Sequence, residues 1–203
     1  MLKLSGKMHP KYYSYMKWSF LTNICVSAES ALVTHNMLQV VGLQSELIRT
    51  VNYIGKDVIG QIGGLMYMSK MAINADKKPD KFLMYSHVIQ QSSFFLTFIT
   101  TLFPSYFLVI AGVSNILTNV SFTGYGALNA KAIQELAIDG SGVGEIYAKI
   151  TGVNTLGSSI GLALGIGLTA LIPSYTARLL LLPFLASIRI YSFNRSMTGL
   201  IKV

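Results

Sequence analysis

From Phe82 to Ala130 the chain reads FLMYSHVIQQSSFFLTFITTLFPSYFLVIAGVSNILTNVSFTGYGALNA, with no Asp, Glu, Lys or Arg anywhere between Lys81 and Lys131. A bilayer crossing needs roughly 20 consecutive residues able to live without water, so this stretch is long enough for two crossings. The Phe103-Pro104-Ser105 turn divides it. A helix apolar all round has to be buried in protein or in lipid. In a chain of 203 residues, lipid is the economical solvent for it.

The pattern repeats along the sequence. A second charge-free interval runs from Ile150 to Ala177, and a shorter one from Trp18 to Ala28. Charged residues make up only 12% of the chain and hydrophobic ones 52%; a soluble domain carries about 25% charged residues to coat its surface. Composition and patterning together predict an all-α fold, a polytopic transmembrane helical bundle. Residues 1–203 read as a single membrane domain.

Punctuation by Gly, Pro and charge clusters gives six helical segments: Trp18 to Val41, Leu47 to Met68, Phe82 to Phe103, Ser105 to Leu128, Ile146 to Ile172 and Tyr175 to Asn194. If they alternate across the bilayer, basic residues collect on one side. That side receives Lys3, Lys7, Lys11 and Lys17, then Lys70, Lys77, Lys78 and Lys81, then Lys131 and Lys149, and finally Arg189, Arg195 and Lys202. Only Arg49 and Arg178 fall opposite, and Lys56 lies inside the second segment. Such asymmetry predicts about six spans with both termini cytoplasmic. The sixth is the least apolar, since Arg178, Pro183 and Arg189 interrupt it; both arginines are expected to snorkel toward the interfaces. Tyr12, Tyr13, Tyr15 and Trp18 sit where the first span enters the headgroup layer. The basic start followed by a long apolar segment reads as an anchor, not a removable signal peptide.

Charges inside the bilayer cost about 2.5 to 3.5 kcal/mol each at a helix centre. Glu29 in the first span, and Lys56 and Asp57 in the second, are therefore expected to face the interior and pair. Adjacent helical residues point about 100° apart, so the expected arrangement joins Lys56 to Glu29 while Asp57 meets Asn115 or Asn119. These five residues form a candidate intramembrane polar site, either an ion or solute path or a structural salt bridge. Asn115 and Asn119 lie four apart and share a helix face. Gly157, Gly161 and Gly165 also recur every four residues, as Gly60 and Gly64 do, which is the spacing of close helix packing in lipid. Glu145 and Lys149, again four apart, suit an ordinary helix-surface ion pair. The sequons at Asn119 and Asn194 fall inside a span and on the cytoplasmic side, so neither is expected to be glycosylated.

Other function classes find no support in the residues. The formal charge of +8 is not gathered into an aromatic-interleaved stripe, so no nucleic-acid partner is expected. Cys25 is the only cysteine, and His9, His35 and His87 show no metal spacing. The glycine runs lack the Lys-Ser/Thr ending of a phosphate loop. No catalytic residue, metal or cofactor is expected, and the chain reads as non-enzymatic.

Taken together, the aromatic start at Tyr12 to Trp18, the block Lys56-Asp57-Val58-Ile59-Gly60-Gln61-Ile62-Gly63, and the block Val143-Gly144-Glu145-Ile146-Tyr147-Ala148-Lys149 followed by Asn154 and Gly157 resemble the root UVB-sensitive family. That family is also described as a vitamin B6 photo-protection and homoeostasis family. The resemblance is collinear from about His9 to Arg195. It implies a polytopic membrane protein linked in plants to UV-B and light responses and to vitamin B6 balance, whose members act in complexes with one another. It implies no catalytic residues. The residue after the second glycine of the first block is often basic in relatives but is Gly64 here, and the C-terminal domain of relatives is expected to be missing. The expected function is thus a membrane component that assembles with itself or a relative. The alternative is a small-solute membrane transporter, half the size of a common carrier and paired as a dimer.

Overall fold

The computed structural model describes residues 9–42, 45–138 and 142–201, leaving the side chains of 68–76 and 80 outside the description. Lys3, Lys7, Lys202 and the Lys70 side chain, which contribute to the expected charge asymmetry, lie outside the described residues. Six long helices follow one another: α1 Tyr12–Gly42, α2 Glu46–Lys77, α3 Pro79–Ile99, α4 Phe107–Leu136, α5 Val143–Leu171 and α6 Tyr175–Met197. They stand where the six segments were expected, and among the described residues the chain is all-α.

Local chemistry explains the breaks. α2 carries Glu46 in its first turn and Lys77 in its last, each complementing the helix dipole. Pro79 opens α3 at a position where its missing N–H costs nothing. Pro104 disfavours helical geometry at Phe103, which sits at φ −132°, ψ 63° between two short 3-10 turns. Gly142 precedes α5 with φ +76°, a conformation that side chains resist. Ser174 caps α6, its hydroxyl accepting from the Ala177 N–H at 3.4 Å. Pro183 lies inside α6, and the helix runs through it.

The chain forms two compact units, one of Ser30–Ala127 and the other of residues up to Glu29 together with those from Leu128 onward. The boundaries fall within α1 and α4. In the Ser30–Ala127 unit, α2 packs on α4 through glycine. A Cβ placed on Gly60 would lie 2.6 Å from Asn115 Cγ, one on Gly63 2.5 Å from Ile116 Cγ1, and one on Gly64 2.9 Å from Asn119 Cβ. Gly55 meets Leu108 farther back, so the paired positions rise together and α2 and α4 run parallel. α3 runs antiparallel to α4, since Ser93 meets Ser114 and Thr118 whereas Gln90 meets Ser121 and His87 meets Tyr125. Met37, Val40, Val41, Phe107 and Ala111 form an apolar cluster in the same unit.

The other unit is built on α1 and α5. Gly157 lies against Phe20, and Gly161 lies against the Ile24 carbonyl and Ser27. Ser19 donates to Asn154 at 2.9 Å and Ser158 to Asn23 at 3.4 Å, so α1 and α5 are also parallel. α6 returns antiparallel to α1, with the Lys11 ammonium on the Thr198 carbonyl at 2.9 Å and Trp18 edge-on to Tyr191.

Polar side chains share the interior with the apolar core, and large apolar side chains also stand on the outside. Buried positions include Glu29, Gln90, Ser93, Ser114, Ser121 and Arg189, while Leu156, Leu162, Leu164, Ile166 and Leu171 of α5 are exposed. Three helical stretches, Pro104–Leu136, Val143–Leu171 and Tyr175–Met197, are long and apolar enough to cross a membrane. In the second of these only 17% of the most apolar window is buried within the protein.

Candidate functional site

The expected ion pairs form differently from the sequence reading. Glu29 pairs with Arg189 of α6, Nε to Oε2 at 2.7 Å, and the two side chains are 0% and 1% exposed. Arg189 therefore does not snorkel; a carboxylate on the neighbouring helix satisfies it where it stands. Arg178 is also buried and reaches back to the Pro173 carbonyl at 3.1 Å. Lys56 pairs not with Glu29 but with its own neighbour Asp57, at 2.6 Å. The backbone directions of adjacent residues do diverge, but the four-carbon lysine stem is long enough to fold across that angle. The Lys56 ammonium also lies 4.4 Å from the centre of the Tyr53 ring, a cation–π contact.

Asp57 does meet Asn115, as expected: the Asn115 amide donates to Asp57 Oδ1 at 2.9 Å and to the Lys56 carbonyl at 3.1 Å. Asn119 turns back on its own helix and donates to the Asn115 carbonyl at 3.0 Å. The glycines of the first block make this possible. Gly60 and Gly64 leave the space that Asn115 and Asn119 occupy, so Lys56, Asp57, Gly60, Gly63, Asn115 and Asn119 form one α2–α4 seam.

Residues of the second block lie along α5. Lys149 and Glu145 pair at 2.7 Å, Asn154 accepts from Ser19, and Gly157 and Gly161 hold α1 close. Gly165 is buried on the same helix, and Ala148 is exposed. Near the start of α1, Tyr15 donates to Asn129 Oδ1 at 3.0 Å.

Beside the α2–α4 seam, within the Ser30–Ala127 unit, lies a cavity of about 140 Å³. Its apolar lining is Val33, Met37, Phe94, Ala111 and Phe122. Its polar lining combines Lys56 and Asn115 with hydroxyls from three helices: Ser30 and Thr34 of α1, Thr97 of α3, and Ser114 and Thr118 of α4. The α3 and α4 hydroxyls are knitted together. Ser114 donates to the Ser93 carbonyl at 2.8 Å, Thr97 bonds the Ser114 hydroxyl, and Ser93 bonds Thr118. The hydroxyls of Ser30 and Thr34 have no hydrogen-bond partner among the described residues. These hydroxyl residues escaped the sequence reading. Their signal was present as spacing, since Ser30 and Thr34, Ser93 and Thr97, and Ser114 and Thr118 each lie four apart on one helix face.

A family described as the vitamin B6 photo-protection and homoeostasis domain matches residues 7–201. Among curated proteins, the chain is 28% identical over 172 residues to protein root UVB sensitive 4 of Arabidopsis thaliana, covering 83% of this chain and 33% of that protein. It is 30% identical over 173 residues to protein root UVB sensitive 5 of the same plant, covering 79% and 34%. With protein root UVB sensitive 2, chloroplastic, identity is 25% over 191 residues, covering 93% and 44%. The chain thus spans about a third of the length of the first two relatives and less than half of the third. No solved structure matches it. With the family matched over nearly the whole chain, and the glycine and ion-pair blocks in place on α2 and α5, the chain belongs to the root UVB sensitive family, the proteins of the vitamin B6 photo-protection and homoeostasis domain.

Proposed function

We propose that this chain is a non-enzymatic multi-pass membrane protein whose six helices all cross the bilayer, and that it serves vitamin B6 homoeostasis or the response to UV-B light through membrane complexes. One observation carries the membrane reading: long stretches of helix without charged residues expose large apolar side chains, such as Leu162, Leu164, Ile166 and Leu171 of α5, while Glu29, Gln90 and Arg189 are buried beside the apolar core. Water would penalise that arrangement, because contiguous exposed apolar surface is rare on soluble monomers. Acyl chains favour it, and the backbone of every helix is already satisfied internally.

Helix direction supports six crossings. α2 and α4 run parallel with α3 antiparallel to α4, and separately α1 and α5 run parallel with α6 antiparallel to α1. Strict up-and-down alternation produces that result within each unit. For complexes, the support lies on α2, where Leu47, Val51, Ile54, Val58, Ile62 and Leu65 are exposed three or four residues apart. This stripe suits lateral packing against a second copy or a family relative. The glycine grooves do not serve that purpose, being filled within the chain.

Alkaline carbonate washing of cell membranes tests the reading. The chain is expected to stay in the pellet, and release into the supernatant overturns the membrane assignment. The cavity in the Ser30–Ala127 unit favours a second reading, a carrier for a small solute. Saturable uptake into proteoliposomes separates the carrier from the assembly component.

A further inference from the structure

The cavity beside the α2–α4 seam has the size, polarity and charge of a small-molecule site. A cavity of about 150 Å³ lined only by apolar side chains holds a single benzene ring. This one, at about 140 Å³, therefore takes one six-membered ring with short substituents. Phe94 and Phe122 supply aromatic surface for such a ring. Unlike a dry benzene cavity, however, it presents hydrogen-bonding groups. Ser30 and Thr34 offer two half-buried hydroxyls without partners among the described residues, one turn apart on α1. Asn115 spends its side-chain amide protons on Lys56 and Asp57, which leaves its side-chain Oδ1 as an acceptor.

Charge narrows the ligand further. Lys56 is the one charged side chain among the described residues of the lining, and Asp57 balances it at 2.6 Å. The site is therefore net neutral. A dianionic phosphate ester would have to shed its hydration with no surplus positive charge to receive it. A neutral or zwitterionic ring bearing hydroxyl groups needs no such compensation.

We propose that this cavity binds a monocyclic, net-neutral, hydroxylated aromatic or heteroaromatic solute, held by Ser30, Thr34 and Asn115 with Lys56 at its edge, and that it discriminates against the phosphorylated form. The inference deepens the proposed role in vitamin B6 balance and rests on it for the choice of probe, pyridoxine. Binding is read by equilibrium dialysis of tritiated pyridoxine against the purified full chain in detergent, with pyridoxine 5′-phosphate as comparator. One saturable site per chain is expected, with the phosphate ester at least tenfold weaker. Ser30→Ala and Thr34→Val should each weaken binding by roughly three- to tenfold, the loss of one hydrogen bond. Ala111→Leu should abolish binding by filling the cavity. Because Ala111 is itself buried, the conservative α1 variants carry the test if the leucine variant fails to fold.

Three results overturn the proposal: no saturable binding by protein that unfolds cooperatively, binding unchanged in the Ser30→Ala, Thr34→Val double variant, or the phosphate ester binding as tightly as pyridoxine. None of these touches the membrane reading. Conversely, a chain that binds pyridoxine yet washes off membranes in carbonate overturns that reading and leaves the site standing.

Discussion

At the scale of single residues, the decisive pair is Glu29 with Arg189. Both side chains are sealed from solvent and joined at 2.7 Å, a geometry that makes them a structural tie and removes Glu29 from any open ion path. Removing one member leaves the other charged, buried and uncompensated, which costs about 3 to 5 kcal/mol. Glu29→Gln is accordingly expected to lower stability by about that much, read as the midpoint of thermal unfolding in detergent. The exchange Glu29→Arg with Arg189→Glu should recover part of the loss. If Glu29→Gln unfolds like the unmodified chain, the tie does not hold the fold. Lys56 and Asp57 differ in being partly open, with side chains 12% and 44% exposed, and Lys56 lines the cavity. Of the three charges that the sequence sets within long apolar segments, Lys56 is the one that reaches the cavity.

At the scale of helices, glycine decides which surfaces meet. Gly161 faces the Ile24 carbonyl of α1, a backbone atom that cannot swing aside, whereas Gly167 on the same helix has nothing within 4 Å of an added Cβ. Gly161→Ala should therefore destabilise by about 1 to 3 kcal/mol through overpacking. Gly167→Ala should be neutral or stabilise by up to about 1 kcal/mol, because alanine loses less backbone entropy in a helix. Thermal unfolding of the two variants side by side checks the contrast, and equal effects would mean that the groove is not a packing seam. The four-residue glycine rhythm was legible in the sequence as a packing surface. Its partner was not, since a small-residue face is equally open to any helix of its own chain or of another.

At the scale of the whole molecule, the question is whether, and how many times, the helices cross a bilayer. Among the described residues, three helical stretches are apolar enough to span by composition alone. α2 is not among them, yet it exposes a long apolar stripe. Single-cysteine labelling settles the topology in a Cys25→Ala background. With six crossings, Lys78→Cys should label only from the cytoplasmic side, and Ser45→Cys, Ser105→Cys and Ser174→Cys only from the opposite side. Ser45 and Lys78 labelling from the same side would reduce α2 to a helix lying along the membrane.

The positions of the six helices were determined by the sequence itself, because they depend on local quantities, although α1 starts at Tyr12 and not Trp18, α2 runs on to Lys77 and not Met68, and α4 to Leu136 and not Leu128. Charge-free length, the prolines at 79 and 104, the glycine at 142 and the cap at Ser174 act within a turn or two of where they stand. The family blocks were legible for the same reason, as short runs of neighbours. Only the tertiary structure decided that Glu29 joins Arg189, separated by 160 positions in the chain, and that hydroxyls from three helices line one pocket. A buried charge demands a partner, but its energy is the same whichever opposite charge supplies it. The choice is made by how the helices stack, and stacking sums many small contacts that no local stretch of sequence contains.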